Sequence, residues 1–218
     1  MGILLVVWPA LLAMPLRVAA ACDPNRPQTA EYNWVSASTA LVGARGVYAQ
    51  IKTYSPYVEA SGFSYSWVML PGPAANEWAQ IGPNKTAGNW VTQYQLQQPG
   101  HPLIWGDLPA YPIGSVHSYS VGTDPVTNQF HVYVDGVDKA WATLYWTPSG
   151  ASIAAETWLL SSQLMGESSS HETFRNGQYM NASGTWQSMS GSVTSTDTNH
   201  FSYSGNAVNF DSWDRCNR

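Results

Sequence analysis

Residues 129–134 alternate Phe130, Val132 and Val134 with Gln129, His131 and Tyr133, and a second strand-like run follows over 137–145. Between them stands Asp135-Gly136. Both residues tolerate positive φ, so an Asp-Gly pair between two alternating runs is the strongest short-range hairpin signal. The same pattern recurs along the chain. Further strand-like runs cover 46–54, 63–70, 77–82, 90–96, 153–160, 171–175, 185–189 and 200–203. In 46–54, Val47, Ala49 and Ile51 share one face and Gln50 and Lys52 the other, the period-2 pattern of a half-buried strand. Some ten short strands with turn residues about every ten positions predict an all-β, antiparallel β-sandwich of concanavalin-like or jelly-roll type. The segment from Cys22 to about Thr39 reads as a polar leader into the fold, and 188–198, rich in Ser, Thr and Gly, as a loop or edge strand. No internal repeat or linker divides the chain, so 22–218 is expected to be a single domain.

Composition excludes other classes. Charged residues make up 11% of the chain, against about 25% in an average soluble protein. A disordered chain would be poor in aromatics, but this one holds eleven tryptophans and twelve tyrosines. With a net charge of -5 and only Lys52, Lys85 and Lys139 as lysines, no basic stripe for nucleic acid exists.

Residues 3–14 form an apolar run too short to span a bilayer as a helix. Ala19-Ala20-Ala21 follows as a small-residue cleavage signal. Residues 1–21 therefore read as a secretory signal peptide, although no Lys or Arg precedes the apolar run. The protein is expected to be secreted, with no membrane attachment once the signal is removed. The two cysteines, Cys22 and Cys216, lie at the ends of the mature chain and read as a disulfide in an oxidising compartment. The rival reading is lipidation of Cys22.

Familiar chemical signatures are missing. There is no Gly-x-Ser-x-Gly, no phosphate-binding glycine loop and no Cys-x-x-Cys; His171-Glu172 lacks the second His of a helical zinc site. The five histidines are scattered, so no metal and no cofactor is expected. Asn84-Lys85-Thr86 and Asn181-Ala182-Ser183 match the glycosylation acceptor pattern.

One constellation remains. Ser66-Trp67-Val68 is followed by Gln80 in Trp78-Ala79-Gln80-Ile81-Gly82, and later by Ala155-Glu156-Thr157-Trp158-Leu159. Order, spacing and local context resemble the eqolisins, glutamic peptidases that are secreted β-sandwiches. The resemblance implies that Gln80 and Glu156 form a catalytic dyad and that Trp90 to Tyr94 stand on the family's aromatic strand. A second resemblance, through Trp78 to Gly82, Ala155-Glu156 and Gln163-Leu164-Met165-Gly166, is to secreted bacterial proteins of this sandwich type and implies the fold alone. Phe130 to Gly136 resembles a structural hairpin of laminin-G and concanavalin-like domains.

The chemistry of such a dyad is physically reasonable. A carboxylate can take a proton from water and return it to a leaving amine, and an amide can hold the water and stabilise the oxyanion. Trp67, Trp78 and Trp158 would wall the site and raise the carboxyl pKa by burial, which suggests acid-acting hydrolysis. Trp90, Tyr94, Trp105 and Tyr111 are further candidates to line a groove. The leading expectation is a monomeric endopeptidase acting on extracellular polypeptide. The alternatives are a non-catalytic module binding a glycan or cell-surface polymer on the same face, and a surface or matrix protein whose sandwich is only a scaffold; a buried Glu156–Gln80 hydrogen bond can also simply pin sheet register.

Overall fold

The computed structural model describes residues 32–159 and 161–215. Fifteen strands follow one another without a helix among the described residues. They are β1 (Tyr32–Ala40), β2 (Gly46–Lys52), β3 (Phe63–Pro71), β4 (Trp78–Thr86), β5 (Trp90–Gln97), β6 (Ile104–Pro109), β7 (Val116–Asp124) and β8 (Gln129–Val134). The rest are β9 (Val137–Thr143), β10 (Gly150–Trp158), β11 (Glu172–Met180), β12 (Trp186–Ser188), β13 (Val193–Ser195), β14 (Phe201–Gly205) and β15 (Phe210–Asp214). They form two antiparallel sheets. The first runs β13-β1-β10-β3-β4-β5-β6; the second runs β14-β15-β11-β2-β7-β8-β9, with β12 added to β11. The predicted antiparallel β-sandwich is the observed architecture. The expected signal peptide over 1–21 and the expected Cys22–Cys216 pairing fall outside the described residues.

The hairpin signal is realised in its backbone: Asp135 has φ 51° and Gly136 φ 75°, the two positive values of a type I′ turn. Elsewhere the strands are set by which face must be dry. Val47, Ala49 and Ile51 of β2 meet Val68 and Leu70 of β3, Ile81 of β4 and Tyr119 and Val121 of β7 in one core, all fully buried. Phe174 and Phe210, paired across β11 and β15, stack at 4.4 Å with a 9° interplanar angle. Burying one such ring contributes about 1.5–3 kcal/mol.

Four strands, β1, β6, β7 and β15, fall outside the sequence expectation. Residues 32–40 were predicted to be part of a polar leader but form β1, paired along its whole length with β10. Its inward positions Val35 and Ala37 are spaced by Ser36 and Ser38, small residues that hide the alternation. β7 is masked in the same way by Ser118, Ser120 and Gly122 at outward positions, β6 by Gly106, Asp107 and Pro109, and β15 by Ser212 and Asp214, polar residues on its buried face. Also, β10 begins at Gly150 rather than 153.

Beneath the site, β3 and β4 approach unusually closely. A Cβ added at Gly82 would run into the Ser66 carbonyl oxygen and crowd the Trp67 backbone. Gly82→Ala is therefore expected to destabilise the fold by about 1–3 kcal/mol, seen as a lower thermal midpoint. An unchanged midpoint would contradict the close approach.

Candidate functional site

Side chains alternate across each strand of the first sheet, so one parity faces the core and the other faces out. The outward parity of β1, β10, β3 and β4 converges on a groove of about 510 Å³. Small residues make its floor: Ser36 and Ser38 on β1 and Ser152 on β10 line it, and the Ser38 and Ser152 hydroxyls are joined at 2.7 Å. Aromatic side chains make its walls, with Tyr32 and Trp34 at the rim, 53% and 39% exposed.

Glu156 projects from β10 into this groove. It pairs with Trp34 on β1 and Tyr65 on β3. Its Oε2 accepts a hydrogen bond from the Trp67 indole Nε1–H at 2.7 Å. One side of the carboxylate is open to the groove and protein crowds the rest. That loss of hydration pushes its pKa from 4.5 up to about 7, while the Trp67 donation pulls the other way. Burial disfavours the charged form, and a hydrogen bond to the charge favours it.

Gln80 enters from β4 with only 8% exposure. Its Nε2 donates to Gln95 Oε1 at 3.2 Å, and Gln95 Nε2 donates to Gln93 Oε1 at 2.8 Å. Gln93 donates in turn to Asp107 on β6 at 2.9 Å. This amide ladder fixes which end of Gln80 is donor and which is acceptor. Gln80 and Glu156 line the same groove from strands separated by β3. Among the described residues no hydrogen bond joins them directly. Trp78 also lines the groove, and its buried Nε1–H has no acceptor among the described residues.

No protein-family model matches the chain, and no curated protein does. Solved structures do. Scytalido-glutamic peptidase, bound to a peptide-based transition-state analogue, superposes with a TM-score of 0.63 at 14% identity over 85% of this chain and 100% of its own. SCP-B, a member of the eqolisin family of peptidases in a complex with the tripeptide Ala-Ile-His, gives 0.60 at 12% identity with the same coverage. This chain shares its fold with two glutamic peptidases. At such identities the likeness speaks for the fold alone, and the eqolisin resemblance carried by Trp67, Gln80 and Glu156 is to the same sandwich.

The other expected residues divide. Trp67 and Trp78 line the groove with Gln80 and Glu156. Trp158 stands outside its lining and packs against Tyr32 with ring centroids 4.5 Å apart and a tilt of 52°, so it supports the wall. Trp90 and Tyr94 must be corrected. They share their parity on β5 with Thr92 and Leu96, which are buried. Tyr94 packs against the core, and Trp90 donates to the Tyr111 carbonyl at 3.3 Å. Tyr111 is drawn inward too, stacked on His117 at 3.7 Å. Trp105 is exposed on β6 beyond the groove. Asn84 is buried at 5% exposure and donates to Gln93, which closes that acceptor position to a glycan in the folded state. The residues sequence reasoning missed are Tyr32, Trp34, Ser152 and Gln95. Alternation within 92–97 was the available signal for Gln95, whereas in 32–38 the small residues hide it.

A second constellation has the connectivity of a nucleophilic triad. Ser115 Oγ lies 3.0 Å from His117 Nε2, and His117 Nδ1 lies 2.7 Å from Asp135 Oδ2. The Ser115 hydroxyl, however, donates to the Pro112 carbonyl at 2.5 Å, and Asp135 also accepts from the Ser118 backbone. The trio ties the 135–136 turn to β7. Among the described residues no cluster of three or more His, Cys, Asp or Glu is placed to hold a metal ion.

Proposed function

We propose that the groove on the first sheet hydrolyses peptide bonds, with Glu156 transferring the proton and Gln80 positioning water and stabilising the oxyanion. The observation that carries this reading is Glu156 itself. It is a carboxylate beside an open groove, gripped by an indole N–H, with its pKa raised to about 7, on a fold similar to that of two peptidases. Perturbed carboxyls in clefts cluster at functional sites.

In this mechanism the Glu156 carboxylate takes a proton from water as the water oxygen bonds to the scissile carbonyl carbon. The carbonyl oxygen becomes an oxyanion and accepts from the second Nε2–H of Gln80, the first being held by Gln95. The C–N bond then breaks as the Glu156 carboxylic acid gives its proton to the leaving amine. Glu156 ends ionised, and one water is consumed. The chemistry needs no group beyond the two side chains and water. An extended peptide would lie with Tyr32 and Trp34 on one side and the Gln80–Gln95 amides on the other. The substrate in this reading is an extracellular polypeptide and the enzyme a secreted monomer.

The working pH follows from the sign of the shift. A base must be ionised to act, and a carboxyl with pKa about 7 is ionised mainly above that pH. In this reading activity rises with pH through about 7, in place of the acid optimum suggested by the sequence. The test is kcat/KM on an unstructured peptide between about pH 4 and 9. Trp67→Phe removes the donor that favours the ionised form and is expected to move the rising limb up by about one pH unit. A limb that stays in place while only kcat falls would make Trp67 a packing residue. A profile highest near pH 4 would overturn Glu156 as the base.

A further inference from the structure

The outer face of the second sheet carries a row that the hydrolytic reading does not use. Six residues stand opposite one another on six neighbouring strands: Trp186 on β12, Met180 on β11, Gly46 on β2, Gly122 on β7, His131 on β8 and Trp141 on β9. Their side of the sheet is outward, because Val47, Val121, Phe130 and Val132 beside them are buried in the core. With strands about 4.8 Å apart, the row spans roughly 24 Å.

Its profile is an open trough. Gly46 and Gly122 are paired at the centre, so two adjacent strands present no side chain there. A Cβ added at Gly46 would meet the Trp186 ring at 3.1 Å and Met180 at 3.3 Å, and one at Gly122 would meet Tyr133 at 3.7 Å. The Trp186 ring therefore lies against Gly46 and buries it, and half-buried Gly122 is the open part of the floor between Trp186 and His131. Trp186 is 42% and Trp141 57% exposed. The rings of Tyr133 and Trp141 lie near-parallel to His131, at 22° and 27°, and His131 is fixed by Asp138 at 2.7 Å. Arg45, whose buried Nε has no acceptor among the described residues, and Asp124 flank the trough with opposite charges. The open depression around Gly122, between Trp186 and Met180 on one side and His131 and Tyr133 on the other, holds about 430 Å³.

We propose that this row binds a neutral polysaccharide, with successive sugar rings stacked on Trp186 and Trp141 and the chain crossing the floor at Gly122. Sugar rings offer flat C–H faces to aromatics and hydroxyls to the polar groups between them. An extended peptide fits less well, because β2, β7 and β8 each have both neighbours paired and offer no free edge for strand addition. The opposed charges leave no net attraction for an acidic or basic polymer. The site is independent of the groove on the first sheet.

The test is native electrophoresis in gels containing mixed-linkage β-glucan, arabinoxylan or glucomannan, with albumin as the unretarded standard. The wild-type protein is expected to be slowed by at least one of them. Trp141→Ala and Trp186→Ala should each weaken the association about tenfold, the scale of one lost stacking contact with its buried area. Gly122→Val fills the floor with a good strand former and should do the same without loss of thermal stability. Glu156→Gln should be retarded like wild type, which separates this site from the hydrolytic one. No retardation of wild type in any gel, or three row variants each retarded as strongly as wild type, overturns the proposal. So does a concentration-dependent dimer that Trp141→Ala dissolves, which would assign the row to a second copy of this chain.

Discussion

Glu156→Gln is expected to lower peptide hydrolysis at about pH 8 by a factor of 10²–10⁴, the usual contribution of a positioned proton-transfer group, and to leave the fold intact. Gln has the same shape, and its Oε1 can still accept from the Trp67 indole that now holds Glu156 at 2.7 Å. What is lost is the ability to take a proton from water and return it to the amine. Gln80→Ala should cost about 10²–10³, the scale of one oxyanion donor. The double variant should fall little below Glu156→Gln alone, because groups acting in one step are not additive. The measurement is single-turnover hydrolysis of an unstructured peptide, with circular dichroism confirming the fold. Equal rates for wild type and Glu156→Gln would sink the dyad. A wild type that binds peptide and never cleaves it would make the groove a recognition surface.

The second large effect concerns stability and lies in a different layer. Glu172 on β11 is fully buried between the sheets. Its Oε1 has no partner among the described residues, and the Ser212 hydroxyl reaches Oε2 at 3.4 Å. Burial pushes this carboxyl from 4.5 up to about 8, and the neighbouring hydroxyls offset that only in part. Below 4.5 the folded and unfolded chains both hold the proton, and stability does not depend on this group. Between about 4.5 and 8 the unfolded chain has lost the proton and the folded chain keeps it. Each pH unit in that window then removes about 1.4 kcal/mol of stability. Glu156 acts in the same direction up to about 7. Asp135 and Asp197, held low by hydrogen bonds and by their histidine partners, oppose it only below the ordinary aspartate range. The thermal midpoint should therefore fall steadily from about pH 5 to 8. Glu172→Gln, neutral throughout, should flatten the upper part of that slope and melt above wild type at pH 8. A midpoint that is level or rising over this range would refute the burial of an ionisable Glu172. Activity and stability then pull against each other, since Glu156 works only where the fold is losing support from both carboxyls.

Both carboxyls were partly legible in the sequence. Glu156 stands in 153–160 with Ile153, Ala155 and Thr157 on the opposite parity, so its strand and the face it shares with Trp158 could be read. Its partner Gln80 emerged only through resemblance, because 75 intervening residues carry no local signal that two strands will share a face. Glu172 lies two positions before Phe174, and on a strand that spacing places both on one face. The placement was readable, but the burial was not. β5 shows the limit clearly. Gln93, Gln95 and Gln97 alternate with Thr92, Tyr94 and Leu96, so the sequence already separates an amide face from an apolar one. Trp90 and Tyr94 lie on the apolar parity, which turns them away from the groove and packs Tyr94 against the core.

The sequence by itself determined the strands with strong alternation, the Asp135-Gly136 turn and the sandwich class, because these rest on neighbours in the chain: period-2 burial and positive φ. Only the tertiary structure decided which parity of each strand is dry, that Gln80 and Glu156 open into one groove, and that Trp186, Gly46, Gly122 and Trp141 fall into a single row. Those facts depend on register between strands far apart in sequence. A shift of one residue in any pairing would turn every side chain of that strand to the other face.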